Sequence, residues 1–163
     1  KAKGYIRLPK KTYLSVPGLV IHAGCQIKFE DFEWSGVYKL DPYPVVDGAT
    51  RFTKDMYIPG TFHCLSFHIR KVLAIGKGGM ILTDDKEAAD WFRRARYEGR
   101  NNREAHDSID DIWILGWNFY MPPEQAGYGI ELFNKLPEKN DDTGGSWKYK
   151  DLSSYTAWSD SVV

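Results

Sequence analysis

The residue with the most specific chemistry in this sequence is a lysine that follows an apolar stretch. Lys71 comes shortly after CLSFH, a strand candidate that would be buried in a parallel sheet. A lysine amine attacks a carbonyl only when it is neutral part of the time, and burial or a neighbouring cation lowers its pKa. Lys71 has both, because Arg70 stands beside it. This context favours a nucleophilic amine, and the alternative is an ordinary solvated lysine.

Three further side chains have the types that one carbonyl cofactor, pyridoxal phosphate (PLP), would need. Asp47 ends the apolar run PVVD, a pattern typical of a buried parallel strand that delivers a carboxylate at its C-terminal end. A carboxylate there would keep the pyridine nitrogen of PLP protonated. The hydroxyl of Ser66 can donate to a phosphate, and Tyr13 could cover the ring face. Taken alone, Asp47 could equally cap a helix or a turn.

Strands and helices that could position these side chains alternate along the chain. The sequence predicts strands at GYIRLP, QIKFED, PVVD, HCLSFH and GMILTDD, whereas FEWSGVYKLDPY and NNREAHDSIDD resemble loops. A helix in SVPGLVIHAG would be capped by Ser15 and stopped by Gly24. The alternation predicts an α/β fold with a mostly parallel sheet and flanking helices.

Two longer helices are predicted further along. KEAADWFRRARYEG would begin after Asp84 or Asp85, and PPEQAGYGIELFNKL would open with its two prolines. The expected apolar faces are Ala88, Trp91, Phe92 and Ala95 on the first helix, and Ala126, Ile130 and Phe133 on the second. From residue 138 onward no periodicity is evident.

Composition excludes several classes of protein. The 163 residues suit one domain, and 22 basic residues balance 22 acidic ones, so no overall charge favours nucleic acid or an anionic membrane. No apolar run approaches the ~20 residues that span a bilayer. The opening KAKGYIRLPKK lacks the apolar core of a secretory signal, and Cys25 and Cys64 suit thiols of a reducing compartment, so we expect a cytoplasmic protein.

Metal and nucleotide sites are not expected. His63 and His68 are five positions apart (68 − 63), so along a strand their imidazoles would point to opposite faces and could not share a metal. GKGGM is glycine-rich, but it lacks the spacing of a P-loop and its Lys-Ser/Thr ending.

Four blocks of the sequence, in the family's order, resemble the DegT/DnrJ/EryC1/StrS aminotransferases, PLP enzymes that aminate keto groups on nucleotide-linked sugars. The blocks are LPKKTYLSVPGLVIHAGCQIKFED, PVVDGATRF, CLSFHIRKVLAIGKGGMILTDDKEAADWFRRARYEGR and LGWNFYMPPEQAGYGIELFNKL. The third block carries the most specific likeness. Together they run from Gly4 to Leu136, most of the chain.

The resemblance implies a role for each candidate residue. Lys71 would be the Schiff-base lysine and the general acid/base of the proton shift, and Asp47 would pair with the pyridine nitrogen. Ser66 would hold the phosphate, and Tyr13 would stack on the ring. Asn118, in GWNFYM, would reach the phosphate of the neighbouring subunit's cofactor, which requires a homodimer. The implied substrates are a nucleotide-linked keto sugar and glutamate as the amino donor.

Departures from the family pattern predict a shortened or partial member. The segment that supplies much of the phosphate site in the family precedes the point where this chain begins, and the interval from Asp31 to Asp47 is far shorter than the family's. Thr50 stands where the family usually has Gln or His, and Tyr120 replaces the family's Arg. We expect a shortened large domain in residues 1–137 and a vestigial or irregular extension in 138–163. The alternative function is a degenerate binding or structural module, or one part of a split protein.

Overall fold

A computed structural model describes residues 4–101, 103–105 and 112–162. The chain begins with a parallel strand pair, β1 (Tyr5–Pro9) and β2 (Gln26–Glu30), connected by helix α1 (Ser15–His22). Gly24 follows the helix with a φ of +80°, the left-handed conformation that the predicted stop requires. Ser15 is the first helical residue and not the cap, because the capping position falls on Leu14, which makes no side-chain capping bond.

A second sheet carries the remaining strands in the order β3 (Tyr38–Lys39), β4 (Val45–Asp47), β5 (Phe62–Ser66), β6 (Gly79–Leu82). Strands β4 and β5 are parallel, and β3 and β6 pair antiparallel at the two edges. The predicted α/β class and all five predicted strands, β1, β2, β4, β5 and β6, agree with the structure. The loop assignment at FEWSGVYKLDPY is wrong over β3, a two-residue strand too short to give an alternating pattern.

The two longer helices are α2 (Lys86–Ala95) and α3 (Pro123–Phe133). Asp85 caps α2, since its Oδ1 accepts a hydrogen bond from the backbone N–H of Ala88 at 2.9 Å. The apolar face predicted for α3 is wrong, because Ile130 and Phe133 are 63% and 55% exposed. The helix instead buries Gly129, where an added Cβ would lie 3.4 Å from Ile75. Apolar residues occur on both sides of α3, so periodicity alone did not reveal the buried one.

Two separate clusters of buried side chains hold the chain together. The first core joins both early strands, α1 and the C-terminal segment, and consists of Ile6, Leu8, Val20, Cys25, Ile27, Leu152 and Trp158. The second core lies between β5, the following loop and α3, and consists of Leu65, Phe67, Leu73 and Ile75 with partly buried residues packed around them.

The C-terminal segment is largely irregular and packs against β1 and β2. Its regular parts are two 3₁₀ helices, Ser146–Lys148 and Thr156–Ser161. The backbone N–H of Leu152 donates to the carbonyl of Lys10 at 2.8 Å, and the indole N–H of Trp158 donates to the carbonyl of Leu152 at 2.9 Å. The division of the chain at residue 137 stays a prediction.

Two sequence-based points concern particular stretches. Most of the predicted loop NNREAHDSIDD lies outside the described residues. Within the described ranges, no helix has the length and apolar character needed to cross a bilayer.

Candidate functional site

Lys71 lies in a tight loop that connects β5 to β6. Backbone hydrogen bonds join Phe67 to Gly78 at 2.9 Å and Ile69 to Gly76 at 3.0 Å, so the loop continues the antiparallel pairing of the two strands. Gly76 and Gly78 have φ values of +96° and +107°, which side-chain-bearing residues rarely adopt. The glycines of GKGGM therefore shape the turn beside the lysine.

The second core anchors this loop. Leu73 and Ile75 follow Lys71 closely and are only 6% and 7% exposed. The backbone N–H of Ile75 also donates to the carbonyl of Phe67 at 3.1 Å. Because both flanks of the loop are fixed by buried side chains, Lys71 is held half-buried instead of extending freely into water.

The surroundings of Lys71 suit a nucleophilic amine. Burial lowers the pKa of Lys71, the charge of Lys148 lowers it further, and the carboxylate of Asp47 opposes both. The effective cationic neighbour is thus Lys148, from the C-terminal segment, and not the adjacent Arg70 that the sequence indicated. The carboxylate of Asp47 is thus close enough to Lys71 to act on the pKa of its amine.

Asp47 is held at the end of β4 by two hydrogen-bond donors. Its Oδ1 accepts from the backbone N–H of Ala49 at 2.9 Å, and its Oδ2 accepts from the hydroxyl of Tyr38 at 2.7 Å. Tyr38 is 5% exposed, and burial together with the charge of Asp47 raises the pKa of the phenol. The carboxylate is consequently oriented before any ligand binds, as a partner of a ring nitrogen must be.

Three aromatic rings form a cluster around Tyr149. Tyr149 stacks on Trp34 with ring centroids 5.8 Å apart and meets Tyr13 edge to face at 6.3 Å. Burial raises the pKa of Tyr149, and Asp47 adds to this effect. Tyr13 is 60% exposed. The described contact of Tyr13 is with Tyr149, and its role in covering a cofactor ring stays a prediction.

Ser66 and Asn118 differ in their placement. Ser66 ends β5, next to the strand that carries Asp47, and its Oγ accepts from the backbone N–H of His68 at 3.4 Å. Asn118 is exposed, and its Nδ2 donates to Oε1 of Glu98, just beyond α2, at 3.0 Å. Ser66 therefore lies at the same end of the parallel strands as Asp47, while the described side-chain contact of Asn118 is with Glu98. The roles assigned to both remain predictions.

His63 is a buried polar residue that the sequence did not connect with this region. It is 0% exposed, and neither ring nitrogen has a hydrogen-bond partner in the part of the chain that the structure describes. Burial lowers its pKa, as does Arg51, while Asp47 opposes them. An added Cβ on Gly48 would lie 2.2 Å from Nε2, so glycine is needed for the turn after Asp47 to pass the imidazole.

Sequence reasoning missed Tyr38, Thr12, Lys148 and Tyr149. The sequence around Tyr38 has no strand pattern, because β3 is only two residues long. Lys148 and Tyr149 lie in the aperiodic tail, where no local signal exists. Within the described ranges no group of three or more His, Cys, Asp or Glu side chains could hold a metal.

The fold is that of PLP-dependent aminotransferases, shared with several solved structures at low sequence identity. A Bacillus cereus protein assigned as a PLP-dependent aminotransferase superposes with a TM-score of 0.65 at 20% identity, covering 83% of this chain and 47% of its own. A sugar aminotransferase from Micromonospora echinospora gives 0.63 at 14% identity, covering 82% and 49%. An aminotransferase from Streptoalloteichus hindustanus gives 0.62 at 17%, covering 83% and 47%. The chain thus spans about half the length of these relatives.

The chain belongs to the DegT/DnrJ/EryC1/StrS aminotransferase family, whose sequence model matches residues 48–149. The match begins one residue after Asp47 and includes Ser66, Lys71 and Asn118. It also extends past residue 137 to Tyr149, into the aperiodic tail. No curated protein matches this chain significantly.

Proposed function

We propose that this chain binds PLP and acts as an aminotransferase on a nucleotide-linked keto sugar, with glutamate as the amino donor. The observation that carries the proposal is the pairing of a half-buried Lys71, whose pKa is lowered, with an Asp47 carboxylate held by two donors. A lysine and a carboxylate in this relation are the two groups that bind opposite ends of the PLP pyridine system.

The residues present fit PLP. The amine of Lys71 would bind the cofactor's carbonyl, and its lowered pKa increases the neutral fraction available for that bond. Asp47 would accept a hydrogen bond from the protonated ring nitrogen, Ser66 would donate to the phosphate, and Tyr13 would cover one ring face. When bound, PLP supplies the electron sink through which an amino group is transferred.

Family membership supports a sugar substrate, and one of the structures that share the fold is a sugar aminotransferase. The nucleotide on that sugar and the glutamate donor rest on the sequence resemblance. A homodimer would allow exposed Asn118 to reach a second subunit's cofactor. The balanced charge favours small-molecule partners over nucleic acid or an anionic membrane. The reduced thiols of Cys25 and Cys64 support a cytoplasmic location.

A spectroscopic titration tests the proposal. The purified protein is mixed with PLP, reduced with borohydride and digested, and the labelled peptide is found by mass spectrometry. We expect a visible absorbance band in the wild type and a stable label on Lys71, and we expect Lys71→Ala to abolish both. Lys77→Ala is the matched control, because Lys77 is exposed in the same loop. Equal, weak spectra for wild type and Lys71→Ala would sink the proposal.

The second candidate function is a binding or structural module that has lost turnover. The shortened interval between Asp31 and Asp47 favours it, because the two-residue strand β3 is the only regular element between β2 and β4. Weak, nonspecific PLP labelling together with a stable oligomer in sedimentation would support this candidate over the enzyme.

A further inference from the structure

A buried chain of hydrogen bonds runs from the end of the first strand pair to Asp47. The hydroxyls of Thr12 and Tyr38 are 2.6 Å apart, and the Tyr38 hydroxyl is 2.7 Å from Oδ2 of Asp47. Thr12 and Tyr38 are 2% and 5% exposed. Water is therefore largely excluded from the two hydroxyls, so both must find their hydrogen-bond partners within the protein.

The direction of the chain follows from donor chemistry. An ionised carboxylate can only accept, so the single hydroxyl proton of Tyr38 is donated to Asp47. The Tyr38 oxygen then accepts the proton of Thr12. This order leaves Tyr38 with one donor and one acceptor interaction, both satisfied.

The fold restricts the ring of Tyr38 as well as its hydroxyl. Tyr38 is the direct antiparallel partner of Asp47 between β3 and β4, so the two side chains share one face of the sheet. The indole of Trp34 lies 4.7 Å from the Tyr38 ring, and its Nε1 donates to the carbonyl of Lys11 at 2.8 Å. A side chain fixed at both its ring and its hydroxyl can fix the carboxylate it contacts.

We propose that Tyr38 is a positioning residue that holds the Asp47 carboxylate in the orientation required by a pyridinium ligand. The inference rests on the proposed function and adds to it a residue from β3. Each carboxylate oxygen can accept more than one hydrogen bond, so Asp47 keeps capacity for a ring nitrogen while bound to Tyr38 and Ala49.

A double-mutant cycle on PLP affinity tests the inference, using Tyr38→Phe, Asp47→Ala and the double variant. Removing a hydrogen bond to a charged group is expected to weaken PLP binding about tenfold in Tyr38→Phe. Because Tyr38 acts through Asp47, the double variant should bind no more weakly than Asp47→Ala. If Tyr38 had a purely structural role, the losses of PLP affinity in Tyr38→Phe and Asp47→Ala would instead multiply in the double variant.

Tyr57→Phe is the matched control. Its hydroxyl accepts from the backbone N–H of Asp84 at 2.9 Å and donates to the carbonyl of Thr61 at 3.3 Å, so this variant also loses the hydrogen bonds of a tyrosine hydroxyl. PLP affinity should stay at the wild-type value in it.

The same cycle is measured by thermal unfolding without cofactor, where Tyr38→Phe and Asp47→Ala should show non-additive melting shifts.

The outcomes separate the inference from the proposed function. Wild-type PLP affinity in Tyr38→Phe, alongside a loss in Asp47→Ala, overturns the positioning role alone, as do multiplicative losses in the double variant. Failure of the wild type to bind PLP overturns the proposed function. In that case, additive melting shifts in the cofactor-free cycle would show that Tyr38 does not interact with Asp47, and this would overturn the inference as well.

Discussion

The two hydrophobic cores of this chain are assembled from different kinds of segment. The first joins Ile6, Ile27 and Trp158, which come from the two ends of the sequence. The second takes its buried members from residues 65–75, a single strand and loop, and is completed by α3. The first core therefore stabilises β1 and β2, after which Thr12 and Trp34 lie, whereas the second stabilises the loop that contains Lys71.

We expect global stability to depend on the first core and the environment of Lys71 to depend on the second. A contact between distant segments loses its strength whenever any one of them detaches, so damage to the first core should unfold the protein as a whole. A mutation in the second core should first affect the loop between β5 and β6, because the residues of this core are close in sequence and lie on both sides of Lys71.

Trp158→Ala is expected to have the largest effect, because it removes the bulkiest side chain of the first core. Trp158 is 5% exposed, and truncating a buried tryptophan costs about 3–5 kcal/mol of unfolding free energy. Urea unfolding at equilibrium measures it. Trp147, at 63% exposed, provides the control Trp147→Ala. Equal losses in the two variants would show that the tail does not belong to the first core.

Leu73→Ala is expected to cost less stability but to impair the site more. Leu73 is 6% exposed beside the lysine loop, and a buried leucine truncation costs about 2–3 kcal/mol at the lower end of the usual range. Borohydride trapping of PLP on Lys71 should fall as well, at a temperature where the variant remains folded. The control Leu115→Ala removes a side chain that is 92% exposed. Full trapping in Leu73→Ala would contradict the division between the two cores.

His63→Leu should change pH dependence more than stability at neutral pH. Because burial lowers the pKa of folded His63 below 6.5, the unfolded chain takes up this proton first as pH falls. Wild-type stability should therefore decrease as pH drops below 6.5 and through the lower folded pKa. His63→Leu removes that contribution.

Melting temperatures between about pH 7.5 and pH 5 measure this slope. His22 is exposed at the end of α1, so His22→Gln should keep the wild-type slope. An unchanged slope in His63→Leu would mean that the buried imidazole does not titrate with unfolding.

The sequence was sufficient for most of the regular elements. Strands β1, β2, β4, β5 and β6 and all three helices lie where local patterns indicated, because each has either an apolar run or a cap and stop residue of its own. The sequence did not indicate β3, because a strand of two residues is too short to show a pattern and is stabilised by its pairing with β4. It also failed at the buried side of α3, which depends on the closeness of Gly129 to Ile75.

For the candidate site, the sequence supplied residue types and the structure supplied partners. Lys71, Asp47 and Ser66 were identified by local context and family resemblance. That Lys148 lowers the pKa of Lys71, and that Tyr38 donates to Asp47, became visible only in three dimensions. Lys148 is 77 positions from Lys71 (148 − 71), so no local pattern could connect them.

By itself, the sequence determined the α/β class, because strand and helix patterns are local, and the family, through the resemblance of its four blocks. It also supplied the residue types on which the proposed function rests. The tertiary structure alone decided which cation neighbours the lysine, which hydroxyl orients the carboxylate and which face of α3 is buried. Those features depend on contacts between segments far apart in the chain, where burial and hydrogen-bond geometry are set by packing and not by local sequence.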